Sequence, residues 1–173
     1  MRDWRPEIVH LVGIKQAIDD ADTRGLWEYH LPKVRVSDEE IDAVERHLGI
    51  RLDPDYRAFL RYANGWPSFF QSVDLFGTHD LYGSPTFELA QQVLEVIEPI
   101  VYEQAGLEPG KVLPVAATAE DMDMFVMPVV DGQQVPPVVW IAGGEIDRFP
   151  TFDDYVLAMI EYNARELATL RNG

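Results

Sequence analysis

Two short, explicitly capped helices near the start of the chain constrain its fold more than any other feature. Ser37 and Glu40 have the spacing of a capping box, in which each side chain accepts a hydrogen bond from a backbone N–H in the first turn of a helix. Gly49 fits the left-handed position that ends such a helix. Asp53 and Pro54 then suit the N-cap and the first position of a second helix. These signals predict two consecutive helices joined by a tight connection.

The other predicted elements do not follow a regular order. Helical patterns begin near Pro6, near Ser84 and at a possible capping box of Thr151 and Asp154, and Pro99 is expected to kink or end the second of these helices. Apolar runs predict strands at residues 72–76, 112–117, 124–130 and 138–142, with a turn at 131–134. Because strands and helices do not alternate, we expect one α+β domain with a mainly antiparallel or mixed β-sheet backed by helices.

The acidity of the chain limits its possible partners. Thirty acidic and fourteen basic residues give a formal net charge of −16, divided evenly as −8 in residues 1–100 and −8 in residues 101–173. An acidic surface repels phosphate backbones and anionic lipid headgroups. We therefore expect no direct binding to nucleic acid or to membranes. The charge fits either a basic protein partner or high solubility alone.

Motifs for catalysis and cofactor binding are missing from the sequence. The chain has no cysteine, which excludes disulfides, thiolate nucleophiles and cysteine-ligated metals. It also lacks a phosphate-binding loop, a dinucleotide fingerprint and an activated-serine motif. The first residues do not form a signal-peptide pattern, and no run is apolar enough to span a membrane. These absences predict a cytoplasmic protein that is not an enzyme and binds no cofactor or metal.

Five carboxylates are the remaining candidates for chemistry. Glu120, Asp121 and Asp123 cluster between two predicted strands and could hold Ca²⁺ or Mg²⁺. The run lacks the glycine and the distal glutamate of an EF-hand loop, so an ordinary acidic turn is the favoured interpretation. Asp74 and Asp80 could flank a glycosidase-like cleft, although no pattern sets the distance between them.

Three aromatic residues, Trp66, Phe69 and Phe70, form a different kind of candidate. They follow an Asn-Gly pair and surround Pro67, which predicts a surface loop. Aromatic side chains on surface loops are favoured anchors for protein partners. The alternative, which the sequence supports equally, is that the rings fold back and cover the core.

Residues around the two capped helices match the opening motif of a known family. The shared positions are Leu31-Pro32, Glu45, Leu48-Gly49, Pro54, Tyr56, Phe59-Leu60 and Asn64-Gly65. In this spacing the chain resembles the SUKH superfamily, which is named partly for a fungal regulator of cell-wall synthesis. Residues 138–141 resemble the late strand of that family and residues 151–155 its final helix. The chain departs from the motif at Pro54, one position later than usual, and at Trp66, which replaces a frequent second glycine.

The resemblance implies a SUKH-like α+β domain over residues 31–173, with residues 1–30 as a helical extension packed on it. For bacterial members it implies an immunity protein that binds a secreted polymorphic toxin domain and occludes its active site without catalysis. The acidity adds the expectation that the toxin domain is basic, for example a nuclease. The expected contact residues are Trp66, Phe69, Phe70, Asp74, Asp80, Glu120, Asp121 and Asp123.

Two other functions remain open at this point. One is an intracellular adaptor or regulatory module that binds proteins without a toxin partner. The other is a small hydrolase that uses Asp74, Asp80 or Glu120.

Overall fold

A computed structural model describes all 173 residues and places most of them in seven helices and seven strands. The helices are α1 (Arg5–Ala21), α2 (Asp38–Leu48), α3 (Pro54–Leu60), α4 (Thr78–Leu81), α5 (Pro85–Val96), α6 (Pro99–Ala105) and α7 (Phe152–Asn172). The strands are β1 (Trp66–Phe70), β2 (Val73–Leu75), β3 (Val112–Ala117), β4 (Met124–Val130), β5 (Gln133–Gln134), β6 (Val138–Ile141) and β7 (Glu145–Phe149). The predicted α+β class is confirmed.

The strands form one antiparallel sheet in the order β1-β2-β3-β4-β6-β7, and β5 pairs with the C-terminal end of β4. Four of the strand pairs are hairpins, and the turn between β4 and β5 follows the C-terminal end of β4. The closing residue pairs of the other three hairpins are Phe70 with Val73, Ala117 with Met124, and Ile141 with Glu145. The register therefore brings the β1–β2, β3–β4 and β6–β7 turns to the same end of the sheet.

The start signals of α2 and α3 and the end signal of α2 act as predicted, whereas α3 ends at Leu60, before Asn64-Gly65. Both hydrogen bonds of the Ser37–Glu40 capping box are present, and Gly49 ends α2 with φ of 66°. The Asp53 carboxylate accepts hydrogen bonds from two backbone N–H groups at the start of α3, and Pro54 occupies the first turn. Local chemistry is therefore sufficient to define this helix pair.

Several elements differ from the prediction. Ser84 caps α5 as expected, but the chain does not simply kink at Pro99, which instead begins the separate helix α6. A proline is tolerated there because the first helical N–H has no partner within the helix. The turn predicted at residues 131–134 is shorter, since Asp131 and Gly132 alone, both with positive φ, join β4 to β5.

The core lies between the sheet and the helices that pack on it. Helix α7 contacts β1, β7, α1 and α3, whereas α5 contacts β3 and α4. Tyr155 of α7 is fully buried, and its ring packs against Phe69, Phe125, Phe149 and Phe152. No helix is both long enough and apolar enough to cross a lipid bilayer.

Candidate protein-binding surface

The aromatic segment predicted as an exposed loop is strand β1. Trp66, Phe69 and Phe70 have exposed fractions of 1%, 0% and 6%, so the prediction of an exposed loop is wrong and the alternative of rings folded onto the core is observed. Burying a large apolar side chain stabilises a fold by about 1.5–3 kcal/mol. The Trp66 indole N–H also donates to the His30 carbonyl oxygen at 2.9 Å. These rings hold β1 against the rest of the domain.

Asp74 and Asp80 both accept hydrogen bonds from nearby backbone N–H groups. The Asp74 carboxylate accepts a hydrogen bond from the Ser68 N–H at 2.7 Å, where the chain has a positive φ of 49°. Burial raises the pKa of Asp74, and the Ser68 N–H opposes that rise. The Asp80 carboxylate accepts from the Gly77 N–H at 2.9 Å and so caps α4. Both carboxylates are half-buried in these roles.

In the acidic turn between β3 and β4, some carboxylates accept hydrogen bonds from the protein, and some are exposed to solvent. The Asp123 carboxylate accepts a hydrogen bond from the Trp140 indole N–H at 2.6 Å, and Asp121 accepts from the Asp123 N–H at 2.8 Å. Burial raises the pKa of Asp123, and the indole N–H lowers it in part. No group of three or more histidine, aspartate or glutamate side chains is placed to hold a metal ion. Glu120 and Asp121 are exposed.

The sheet register makes this acidic turn part of a larger surface. The Thr118 hydroxyl donates to the Ser72 hydroxyl at 2.9 Å and ties the β3–β4 turn to the β1–β2 turn. We call this end of the sheet the turn edge, comprising residues 71–72, 118–123 and 142–145. Of the eight predicted contact residues, the turn edge contains Glu120, Asp121 and Asp123. It also presents Met122, whose side chain is 51% exposed.

The charge of the chain is unevenly distributed along the sequence, although residues 1–100 and residues 101–173 have the same net charge. Between Arg61 and Arg148 the sequence has 13 acidic residues and one basic residue, Lys111. That lysine pairs with Glu108 at 2.7 Å. The base-poor stretch forms the turn edge and also the helices α4, α5 and α6. The absence of lysine and arginine from residues 62–110 was the sequence signal that could have located this surface.

Helices α5 and α6 carry the acidic residues that the sequence analysis did not select. Glu88, Glu95, Glu98 and Glu103 are exposed, and none of them forms an ion pair. Carboxylates without a cationic neighbour project their full field into solvent. The exposed acidic residues best suited to a basic partner therefore lie in two regions, the turn edge and the segment of α5 and α6.

Comparison with known families identifies the domain. The sequence model of the SMI1 / KNR4 family (SUKH-1) matches residues 35–158, from the strand-like segment before α2 into α7. No curated protein matches the chain. The family match spans more than half of the chain and includes all seven strands. The chain therefore belongs to the SMI1 / KNR4 family, as its resemblance to the SUKH superfamily predicted.

Proposed function

We propose that this protein is an immunity protein that binds a basic bacterial toxin domain, such as a nuclease, and occludes its active site. The observation that carries the proposal is an acidic, nearly base-free surface on a domain of the SMI1 / KNR4 family, which includes immunity proteins. Such a surface has no stabilising purpose of its own, because like charges at close range repel.

Electrostatics supports occlusion of a nuclease in particular. An enzyme that cleaves nucleic acid must place basic side chains around its active site to hold the phosphates. A carboxylate-rich protein surface is attracted to the same basic site, which speeds its encounter and lets it compete with the substrate. Binding at that site blocks the toxin without any chemistry by the inhibitor.

The positions of the buried carboxylates favour a binding protein over the hydrolase alternative. Asp74, Asp80 and Asp123 each accept a hydrogen bond from a backbone or indole N–H at 2.6–2.9 Å. Such bonds fix the orientation of each carboxylate toward the N–H group that it accepts from. Glu120, the third candidate for a hydrolase, is exposed on the turn edge.

Co-expression with the toxin domain encoded by the neighbouring gene tests the proposal. We expect the protein to restore growth, and we expect calorimetry with a catalytically inactive toxin variant to show a complex that weakens as salt rises. An unrelated basic nuclease is the control for unspecific charge attraction and should remain active. Absence of protection, together with a stoichiometric complex with a housekeeping protein, would support the adaptor alternative instead.

A further inference from the structure

A groove of about 590 Å³ lies between α5, α6 and the segment that leads into β3, away from the turn edge. Its lining is mixed: an apolar part consists of Leu94, Ile97, Tyr102 and Val112, and the rest consists of Pro99, Pro109, Gly110 and the polar residues Gln91 and Glu95. Leu94 and Tyr102 are buried and form its floor. The volume falls within the range of roughly 300–1,000 Å³ that is usual for ligand pockets, so the groove has room for a large side chain of a partner.

The groove is preformed, because hydrogen bonds hold both of its walls. The Tyr102 hydroxyl donates to the Leu94 carbonyl oxygen and fixes α6 to the last full turn of α5. The Arg148 guanidinium of β7 donates to the carbonyl oxygen of Ala105 at the end of α6. A binding site that is already shaped loses less conformational entropy when a partner docks.

Two exposed apolar residues adjoin residues of the groove lining along the chain. Val96, the last residue of α5, is 79% exposed, and Ile100 in the first turn of α6 is 46% exposed. Single exposed apolar residues are ordinary on protein surfaces, but apolar residues grouped around a groove mark interaction sites. Val96 stands between the lining residues Glu95 and Ile97, and Ile100 follows the lining residue Pro99.

The negative charge around the groove determines which kind of partner can bind there. No lysine or arginine occurs in residues 85–110, whereas five glutamates do. Glu95 lines the groove, and Glu98 and Glu103 stand on the adjoining linker and helix without an ion pair. A second copy of this chain would bring the same glutamates against one another, and an anionic lipid surface would be repelled. A basic protein surface is the occupant that complements both the shape and the charge.

We propose that the α5–α6 groove docks a basic protein surface, which inserts one large apolar side chain between the helices and surrounds it with lysine or arginine. The identity of that partner rests on the proposed function, in which it is the toxin domain. The apolar insertion supplies affinity and the surrounding charges supply orientation and speed of encounter.

A designed helical peptide provides a probe that does not depend on the toxin. It carries leucines along one face and lysines and arginines on both sides of them, and it is titrated into isotope-labelled full-length protein by NMR. We expect the largest chemical-shift changes in α5, α6 and residues 107–112. A control peptide of equal charge with alanine in place of leucine should bind about tenfold more weakly. Shift changes centred on the turn edge, or equal affinity for both peptides, would overturn the proposal.

Charge-reversal variants separate the groove from the general acidity of the protein. Glu95→Lys combined with Glu98→Lys should weaken peptide binding by about tenfold or more. Asp19→Lys combined with Glu39→Lys alters the net charge equally at exposed positions on α1 and α2, and should change binding by less than about twofold. Equal losses in the two pairs of variants would mean that only net charge matters and would contradict the groove.

The same variants distinguish failure of this inference from failure of the proposed function. If the unaltered protein neutralises the toxin and the Glu95→Lys/Glu98→Lys variant neutralises it equally well, the groove is not the docking site, while the immunity function stands. If the peptide docks in the groove as expected but no toxin is neutralised, the groove stands and the immunity function does not.

Discussion

The two helix pairs of this domain, α2–α3 and α5–α6, are built alike but differ in what surrounds their carboxylates. Each pair has a serine-capped first helix and a second helix that begins with proline. In α2–α3, Arg57 contacts Asp42 at 2.9 Å and Glu45 at 2.6 Å, and Arg61 contacts Asp38 at 2.6 Å. In α5–α6 no basic residue is present, and the carboxylates face solvent.

The difference shows that pairing, and not acidity, distinguishes a structural charge from one that is available to a partner. Asp38, Asp42 and Glu45 of α2 contact the two arginines, so part of their charge is compensated within the domain. The carboxylates of α5–α6 have no such partners, and one of them, Glu95, lines the groove. Substitutions in the two pairs should therefore affect different quantities, stability in the first and partner affinity in the second.

Removal of the Arg57 charge is the substitution with the largest expected effect on stability. Arg57→Met keeps the apolar stem of the side chain but leaves Asp42 and the half-buried Glu45 without their cation. Hydrogen bonds to charged groups contribute roughly 1.5–3 kcal/mol, and partial exposure places this network in the lower half of that range, so we expect a loss of about 2 kcal/mol. Urea denaturation measures this loss.

The matched substitution in the other pair should leave stability nearly unchanged. Glu95→Gln combined with Glu98→Gln removes two charges that have no cationic neighbour, so the free energy of unfolding should change by less than about 0.5 kcal/mol. Its binding to a basic partner should fall instead. A large stability loss in this variant, or none in Arg57→Met, would show that the two pairs do not differ as described.

Lys15 of α1 tests the same distinction between paired and unpaired charges with a cation, because it has no carboxylate partner. Its side chain is 5% exposed, and its ammonium donates to the Ser68 carbonyl oxygen, although Asp19, Glu28 and Glu166 line the same small cavity. Burial lowers the pKa of Lys15 to about 8. A buried cation without an ion pair should thus destabilise the fold while it is charged.

The sign of the pH dependence follows from that pKa. Between the folded value of about 8 and the value of about 10.4 in an unfolded chain, the unfolded state binds more protons, so stability should rise with pH. We expect an increase of about 1.5 kcal/mol from about pH 8 to about pH 9.5. Denaturation at a series of pH values measures it. In Lys15→Met the rise should vanish, and its persistence there would assign it to another group.

Much of the fold could be predicted because local chemistry determines it. The capping residues Ser37, Asp53 and Ser84 each predict a helix start from their own side-chain hydrogen bonds. Strands β3 and β4 have the predicted bounds, Val112–Ala117 and Met124–Val130, because apolar runs between turns leave few alternatives. By contrast, β1 contains a proline and β7 is mostly exposed and polar, so neither has the pattern of a typical strand.

The candidate surface was harder to predict, because it depends on long-range pairing. Whether Trp66 is an anchor or a core residue is decided by α1 and α7, which lie far away in sequence. Whether a carboxylate such as Asp42 or Glu95 forms an ion pair depends on whether the fold brings an arginine of another helix into contact with it. The base-free composition of residues 62–110 was visible, but only the fold shows that part of it surrounds a groove.

The smallest expected effect comes from making α5 resemble α2. Gln92 is exposed and lies one turn after Glu88, so Gln92→Arg places a cation at the favourable i, i+4 position. The new pair should stabilise the domain by about 0.3–0.5 kcal/mol and should vanish as salt rises. Partner affinity should fall at the same time, because the arginine neutralises part of the field around the groove. Thermal denaturation and peptide titration measure the two effects, and Gln92→Glu is the control in which both should reverse. If stability and affinity increased together in Gln92→Arg, unpaired carboxylates on α5 would not be what a basic partner recognises.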